Sequence, residues 1–198
     1  MTDALNKVAW PVHTQRLRLR RLEADDLLAT WRYRQLLEVY EWITSGPTEL
    51  ADYERLYFEE GRRERDVAVE LVDGQGAATL IGTVMVKVHD GWGQSEVVEQ
   101  TLGVEAELGW SFDPAYSGLG YATEAVQAVI ELCFGALGLR RLTAECFAAN
   151  EPSYKLMERV GMRREAYSRA SGLHRSGQWM DGMVYALLAD EWEGTAAG

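Results

Sequence analysis

No stretch of about 18 consecutive apolar residues occurs anywhere in this 198-residue chain, which excludes a membrane-spanning helix on hydropathy grounds. The opening MTDALNKVAWPVH also lacks the short apolar segment of a secretory signal. Cysteine is scarce, Cys133 and Cys146 being the whole supply. Two cysteines and three scattered histidines supply no metal-ligand spacing, so no metal is expected and both thiols are expected to be reduced core groups. Positive charge is in deficit: 20 Lys and Arg face 31 Asp and Glu, and the net charge of -11 argues against a nucleic-acid partner, whose phosphates select basic surfaces. A cationic partner would be drawn in instead, which bears on encounter and not on any site. Together these absences predict a cytoplasmic protein with no membrane and no nucleic-acid partner.

The remainder is ordinary for a folded protein, 47% hydrophobic and 26% charged, without repeat, linker or low-complexity segment. One domain is expected over residues 1–198, with a core from about 15 to 192 and flexible termini. Residues 1–12 read as a poorly ordered lead-in. From Gln15 to Leu22 leucines alternate with Arg16, Arg18 and Arg20, the period of a half-exposed strand. Ala24-Asp25-Asp26 can cap a helix running toward Tyr40, and Thr48, after the Ser45-Gly46-Pro47 break, can cap a second. The aromatic density from Trp31 to Phe58 fits either plain helix packing or a wall on the substrate side. Asp66 to Val72 and Leu80 to Val88 form a hairpin, followed by a glycine-punctuated acidic loop from His89 to Gly103, in which Trp92 could cover a substrate mouth.

Val104 to Phe112 is the next strand, and Asp113-Pro114 ends it because proline has no amide hydrogen to donate. Ala122, Ala125, Val126, Val129, Ile130, Cys133, Phe134 and Leu137 then recur at the spacing of one buried helix face. Between strand and helix, Gly118 and Gly120 let the backbone turn tightly without covering the amides of Leu119 to Thr123, which have no partner inside a first helical turn. Such an N-terminus favours phosphate-like anions without any lysine. The glycines could equally serve the turn alone. Two other nucleotide motifs are excluded: there is no GxxxxGK[ST], and Thr123 stands where a dinucleotide fingerprint needs its third glycine. A strand from Leu139 to Phe147, a short helix capped by Asn150 and ending near Val160, and a hairpin of Arg164 to His174 with Gln178 to Leu188 complete the chain. One strand-helix-strand crossover with hairpins on either side predicts a mixed α/β sheet.

Glu107-Leu108-Gly109-Trp110, Asp113-Pro114-Ala115-Tyr116 and Gly118-Leu119-Gly120-Tyr121-Ala122-Thr123-Glu124-Ala125 resemble the acetyl-coenzyme A signature of the GNAT acetyltransferases. More narrowly they are similar to the branch typified by the ribosomal-protein N-alpha-acetyltransferases, the RimJ/RimL type, and the similarity extends from about Gln15 to Trp192. Ala115 departs from the Gln or Arg that opens the general motif, and Ser117 from the aromatic common in this branch. Neither change removes a backbone amide. The resemblance implies the GNAT fold, an α/β (α+β) architecture whose mixed central sheet has about seven strands flanked by helices. It also implies acetyl-coenzyme A as cofactor. Pantetheine would lie along Trp110, Ser111 and Phe112, the pyrophosphate at Ser117, Gly118, Leu119, Gly120, Tyr121, Ala122 and Thr123, and Asn150, Ser153 and Tyr154 would complete the contacts.

Acetyl transfer to an amine needs a neutral amine, stabilisation of the oxyanion and a proton for the departing thiolate. Ser153 shares a helix face with Leu156, Met157 and Val160, and Asn150-Glu151-Pro152-Ser153 matches the branch's Asn-x-x-Ser, which implies that Ser153 is the acid. A first-turn serine can equally bond its own backbone, and Tyr154 is the alternative donor. Glu107, a carboxylate between Ala106 and Leu108 on a central strand, is the first candidate base, unless it pairs with an arginine. His174, before the final turn, is the second candidate, unless it is simply exposed. Asp181 could contact the amine or brace the hairpin. The expected function is an N-acetyltransferase acting directly on a protein N-terminal α-amine or a small-molecule amine, with a homodimer left open. The rivals are a non-catalytic acyl-coenzyme A sensor or interaction protein on the same fold, and a dinucleotide enzyme.

Overall fold

The computed structural model describes residues 4–192. Its strands are β1 (Val12–His13), β2 (Leu17–Arg21), β3 (Asp66–Val72), β4 (Ala78–His89), β5 (Glu105–Phe112), β6 (Arg141–Phe147), β7 (Arg163–Leu173) and β8 (Trp179–Leu188). Its helices are α1 (Leu27–Arg34), α2 (Leu37–Tyr40), α3 (Leu50–Tyr57), α4 (Tyr121–Phe134) and α5 (Glu151–Arg159). The strands form one mixed sheet in the order β1-β2-β3-β4-β5-β6-β8-β7. β5 and β6 run parallel and are joined through α4, as a parallel pair requires, whereas the β1–β2, β2–β3, β3–β4, β6–β8 and β7–β8 ladders are antiparallel.

The sheet has eight strands rather than about seven. The addition is β1, two residues paired with Leu19 and Arg18, too short to show any periodicity in sequence. The segment ahead of it is not a poorly ordered lead-in. Ala4–Lys7 forms a 3-10 turn, Leu5 and Val8 are buried, and the Trp10 indole donates to the Leu5 carbonyl at 3.0 Å. The ends expected to be flexible fall partly outside the described residues.

The chain forms two compact units. The first comprises the chain up to Met85 together with Trp110–Ala128. Leu17, Leu19, Val67, Val69, Ile81 and Val84 alternate inward from β2, β3 and β4 and are almost fully buried, each contributing roughly 1.5–3 kcal/mol. Tyr33, Tyr53 and Tyr57 pack with Leu22, Val39 and Leu80, and Trp31 stacks on Tyr53 at 5.2 Å, so the aromatic density builds a core. The single helix expected up to Tyr40 is broken: Leu36 is extended, with ψ 138°, and caps α2. Glu49, not Thr48, occupies the cap of α3. On the polar side of β2, Arg20 binds Asp26 at 2.7 Å and Glu70 at 2.9 Å, and Arg18 binds Glu70 at 2.6 Å.

The second unit comprises Val86–Gly109 and the chain from Val129. Here Ala106, Leu108, Leu142, Ala144, Met157 and Leu187 are buried. The β5–β6 ladder pairs Glu105 with Arg141, Ala106 with Leu142 and Glu107 with Thr143, and stops there. β6 continues against β8 as far as Phe147–Gly182. β7 carries register shifts after Arg164 and Ser168, and Ala170 lies in the left-handed region at φ 47°.

Candidate active site

Candidate groups occur in both units. In the first, β5 ends at Phe112 and the Asp113 carboxylate fixes the exit. It accepts from the Ala115 amide at 3.0 Å and from Arg32 Nη2 at 2.9 Å, while the Asp113 amide donates to the Ile81 carbonyl at 2.8 Å. Pro114–Tyr116 makes one 3-10 turn, closed by the Ser117 hydroxyl donating to the Pro114 carbonyl at 2.8 Å. Gly118 and Gly120 then adopt φ 75° and 83°, values that residues with a Cβ rarely take. Nothing lies within 4 Å of where a Gly118 side chain would begin, so the loop presents bare backbone. The Glu124 amide donates to the Gly120 carbonyl at 3.1 Å, and the amides of Leu119, Gly120, Tyr121 and Ala122 precede that first helical bond. The expected tight glycine entry into α4 is present.

An arginine braces it, which the sequence did not reveal. Arg16 Nη1 donates to the Leu119 carbonyl at 2.9 Å, its Nε to Glu124 Oε2 at 2.7 Å, and its guanidinium lies 4.4 Å from the centre of the Tyr121 ring. Glu124 Oε1 also accepts from the Thr14 hydroxyl at 2.6 Å and from the Arg16 amide at 2.9 Å. Burial works to raise the Glu124 pKa, but these hydrogen bonds and the guanidinium charge outweigh it and hold the carboxyl below its ordinary value. Two expected cofactor contacts are committed elsewhere through their side chains. Ser111 is buried with its hydroxyl 3.2 Å from that of Thr83, and the Phe112 ring packs on Gly82, where a Cβ would lie 2.2 Å from it. What Trp110, Ser111 and Phe112 offer a ligand is therefore chiefly backbone.

In the second unit Glu107 is half-buried on β5. Its expected arginine partner is instead Lys87 of β4, whose Nζ donates to Oε2 at 3.2 Å. Asn150 caps α5 as expected, its Oδ1 accepting from the Ser153 amide at 3.3 Å. Leu156, Met157 and Val160 are buried along that helix, and Ser153 and Tyr154 are half-buried in its first turn. The Ser153 side chain bonds the Cys146 thiol, whose pKa burial pushes up to about 11 despite that bond. Cys133 is likewise pushed up, to about 12, by burial, and both cysteines are free. Neither is a ready thiolate. No hydrogen bond joins Glu107 to Ser153 among the described residues.

His174 is buried, not exposed. Its Nδ1 lies 2.9 Å from the Ser176 hydroxyl and accepts from the Ser176 amide at 3.3 Å, and its ring meets Phe147 edge-on at 5.4 Å. Asp181 braces the hairpin: it accepts from the Tyr167 hydroxyl at 2.6 Å and from the Ala170 amide at 2.8 Å. Trp92 is 91% exposed. Among the described residues no helix is long and apolar enough to cross a membrane.

A family model described as an acetyltransferase (GNAT) domain matches residues 16–163. The uncharacterized N-acetyltransferase YnaD of Bacillus subtilis (strain 168) is 32% identical over 182 residues, covering 91% of this chain and 98% of that protein. The [ribosomal protein uS5]-alanine N-acetyltransferase of Escherichia coli (strain K12) is 31% identical over 85 residues, 43% of each chain. Among solved structures, a GNAT-family acetyltransferase from Bacillus anthracis superposes with a TM-score of 0.74 at 29% identity, over 91% of this chain and 99% of that one.

Proposed function

Because the chain belongs to the GNAT acetyltransferase family and is an N-acetyltransferase, we propose that it moves an acetyl group from acetyl-coenzyme A directly to a primary amine, either a protein N-terminal α-amine or a small-molecule amine. The observation that carries this is the loop from Ser117 to Tyr121: two left-handed glycines open the first turn of α4, with open space beside Gly118 and the Arg16 guanidinium 3.4 Å from where a Gly120 side chain would begin. A diphosphate fits such a cradle, because oriented amides and the helix dipole both favour negative charge. In this reading Ser117, Gly118, Leu119, Gly120, Tyr121, Ala122 and Thr123 hold the pyrophosphate, the backbone of Trp110, Ser111 and Phe112 receives pantetheine, and Asn150, Ser153 and Tyr154 contribute from the start of α5.

Bound acetyl-coenzyme A supplies the thioester that the amine attacks and the thiolate that leaves. Glu107 takes the proton from the incoming ammonium. Lys87 engages only its Oε2, and Oε1 has no partner among the described residues. Ser153, half-buried in the first turn of α5, gives a proton toward the sulfur. His174 is the second candidate base; it is buried and its Nδ1 serves the turn. Two free cysteines support a reducing, cytoplasmic setting.

The test is a thermal-shift titration with acetyl-coenzyme A and NAD in parallel, followed by an assay of free thiol released with a panel of amines. A ligand that binds only the native state stabilises it by about 2.7 kcal/mol at a hundred times its Kd. Acetyl-coenzyme A is expected to raise Tm, NAD is not, and thiol release is expected to depend on the amine. Stabilisation by NAD alone, or binding without turnover for any amine, would defeat the proposal.

A further inference from the structure

Away from the glycine loop, the first unit holds three arginines that lack what the others have. Arg34 ends α1, Arg62 precedes the 3-10 turn Arg63–Arg65 and Arg65 closes it, and Asp66 opens β3 directly after it. Among the described residues none of the three joins an ion pair, whereas Arg18, Arg20 and Arg141 each do. The Nε atoms of Arg34 and Arg65 are buried and have no hydrogen-bond acceptor. The three guanidiniums act electrostatically on a single carboxylate, Asp66, which is itself only 8% exposed. Positive charge therefore exceeds negative by two in a half-buried place. Burial first, then Arg34, push Arg62 below its ordinary pKa, while burial works to lower Arg34 but Tyr33, Tyr53 and Asp66 outweigh it and hold Arg34 above its own.

Neutral donors stand beside them. Arg34 Nη2 donates to the Thr83 hydroxyl at 3.2 Å, and that hydroxyl lies 3.4 Å from Tyr33 Oη and 3.2 Å from Ser111 Oγ on the proposed cofactor strand. Water could satisfy a bare Nε but could not offset the excess charge. An oxyanion does both, because guanidinium forks match carboxylate and phosphate oxygens. We propose that Arg34, Arg62 and Arg65 form a binding site for an oxyanion, a carboxylate or a phosphate, carried by the acceptor or taken up free. Only the first of these sources rests on the transfer activity proposed above.

The experiment measures binding of inorganic phosphate and of succinate by thermal shift, with chloride balancing ionic strength, in the wild type and in Arg62→Gln, Arg65→Gln and Arg65→Lys. Both Gln variants should weaken phosphate by about tenfold, the loss of roughly one charge-assisted contact, while acetyl-coenzyme A affinity stays unchanged. Arg65→Lys, which keeps the charge and loses the fork, should fall between and serves if a Gln variant folds poorly. In parallel, KM is compared for an amine bearing a carboxylate and for its amide. A rise in Arg62→Gln for the acid alone identifies the acceptor as the source, and weakened phosphate with both KM values unmoved identifies a free anion. Phosphate binding equally tight in wild type and Gln variants would place the anion elsewhere, the glycine loop included, and overturn the proposal. So would shifts no larger than chloride's together with unmoved KM values.

Discussion

Arg16 reaches across 103 residues of sequence to the Leu119 carbonyl and across 108 to Glu124, so it fixes a loop whose glycines would otherwise leave it loose. Arg16→Ala should weaken acetyl-coenzyme A by about tenfold, the worth of one charge-assisted contact, with a smaller loss of Tm because the side chain is 40% exposed. Calorimetric titration checks the first effect and melting the second. Glu124 carries a pH signature of the same contact. Its folded pKa is depressed, so its stabilisation is complete above the unfolded value of 4.5 and is lost as pH falls through the folded value. Wild type should therefore be more stable than Glu124→Gln at pH 7, and the gap should close on acidification below about 4.5. A gap independent of pH would mean that shape, not charge, holds the corner. At Glu107 function and stability should separate: the Lys87 pair is half-exposed and worth at most about 1 kcal/mol. Loss of a general base costs about 100- to 10,000-fold. Glu107→Gln should fall by that factor in kcat with its melting curve nearly unchanged, and a normal kcat would remove Glu107 from the chemistry.

At the scale of elements, Gly82 and Phe112 set how β4 meets the end of β5. A methyl at Gly82 would lie 2.2 Å from the ring, so Gly82→Ala should cost about 1–3 kcal/mol by overpacking, measurable by urea denaturation. α4 was legible because seven apolar residues from Ala122 to Phe134 repeat its period, although the helix ends before Leu137, and the β3–β4 hairpin and the Asn150 cap because alternation and capping chemistry are local. β1 was hidden by its two-residue length, and the α1–α2 break because Leu36 sits in a continuing apolar pattern with no glycine or proline to mark it. The backbone of the glycine loop was readable for the same local reason. Its brace was not, since Arg16 looks like any arginine alternating along β2. Burial of His174 was equally hidden, because Phe147, which covers its ring, belongs to β6. Partners distant in sequence leave no periodic trace, and side-chain roles at the site depend on them.

For the whole molecule, a net charge of -11 and the chemistry of amines bear on the acceptor together. The acidic surface draws a protonated amine in, and transfer then requires that amine to become neutral. With pKa values of about 7.7–8.0 for an α-amine and 10.4 for lysine, neutralising lysine near pH 7 costs about 3.5 kcal/mol more than neutralising the α-amine. If the neutral fraction decides the rate, an N-terminal α-amine should exceed an internal lysine in the same peptide by about 300-fold in kcat/KM at pH 7 and by only about 25-fold at pH 9. Mass spectrometry of a peptide carrying both amines, sampled across that range, reads the ratio directly. Encounter adds a second dependence, because kcat/KM for a cationic acceptor should fall as salt screens the surface, while the ratio between two amines on one peptide should not move. A ratio that stays flat with pH would mean that basicity in solution does not decide which amine reacts, and selectivity would then have to come from the shape of the acceptor site.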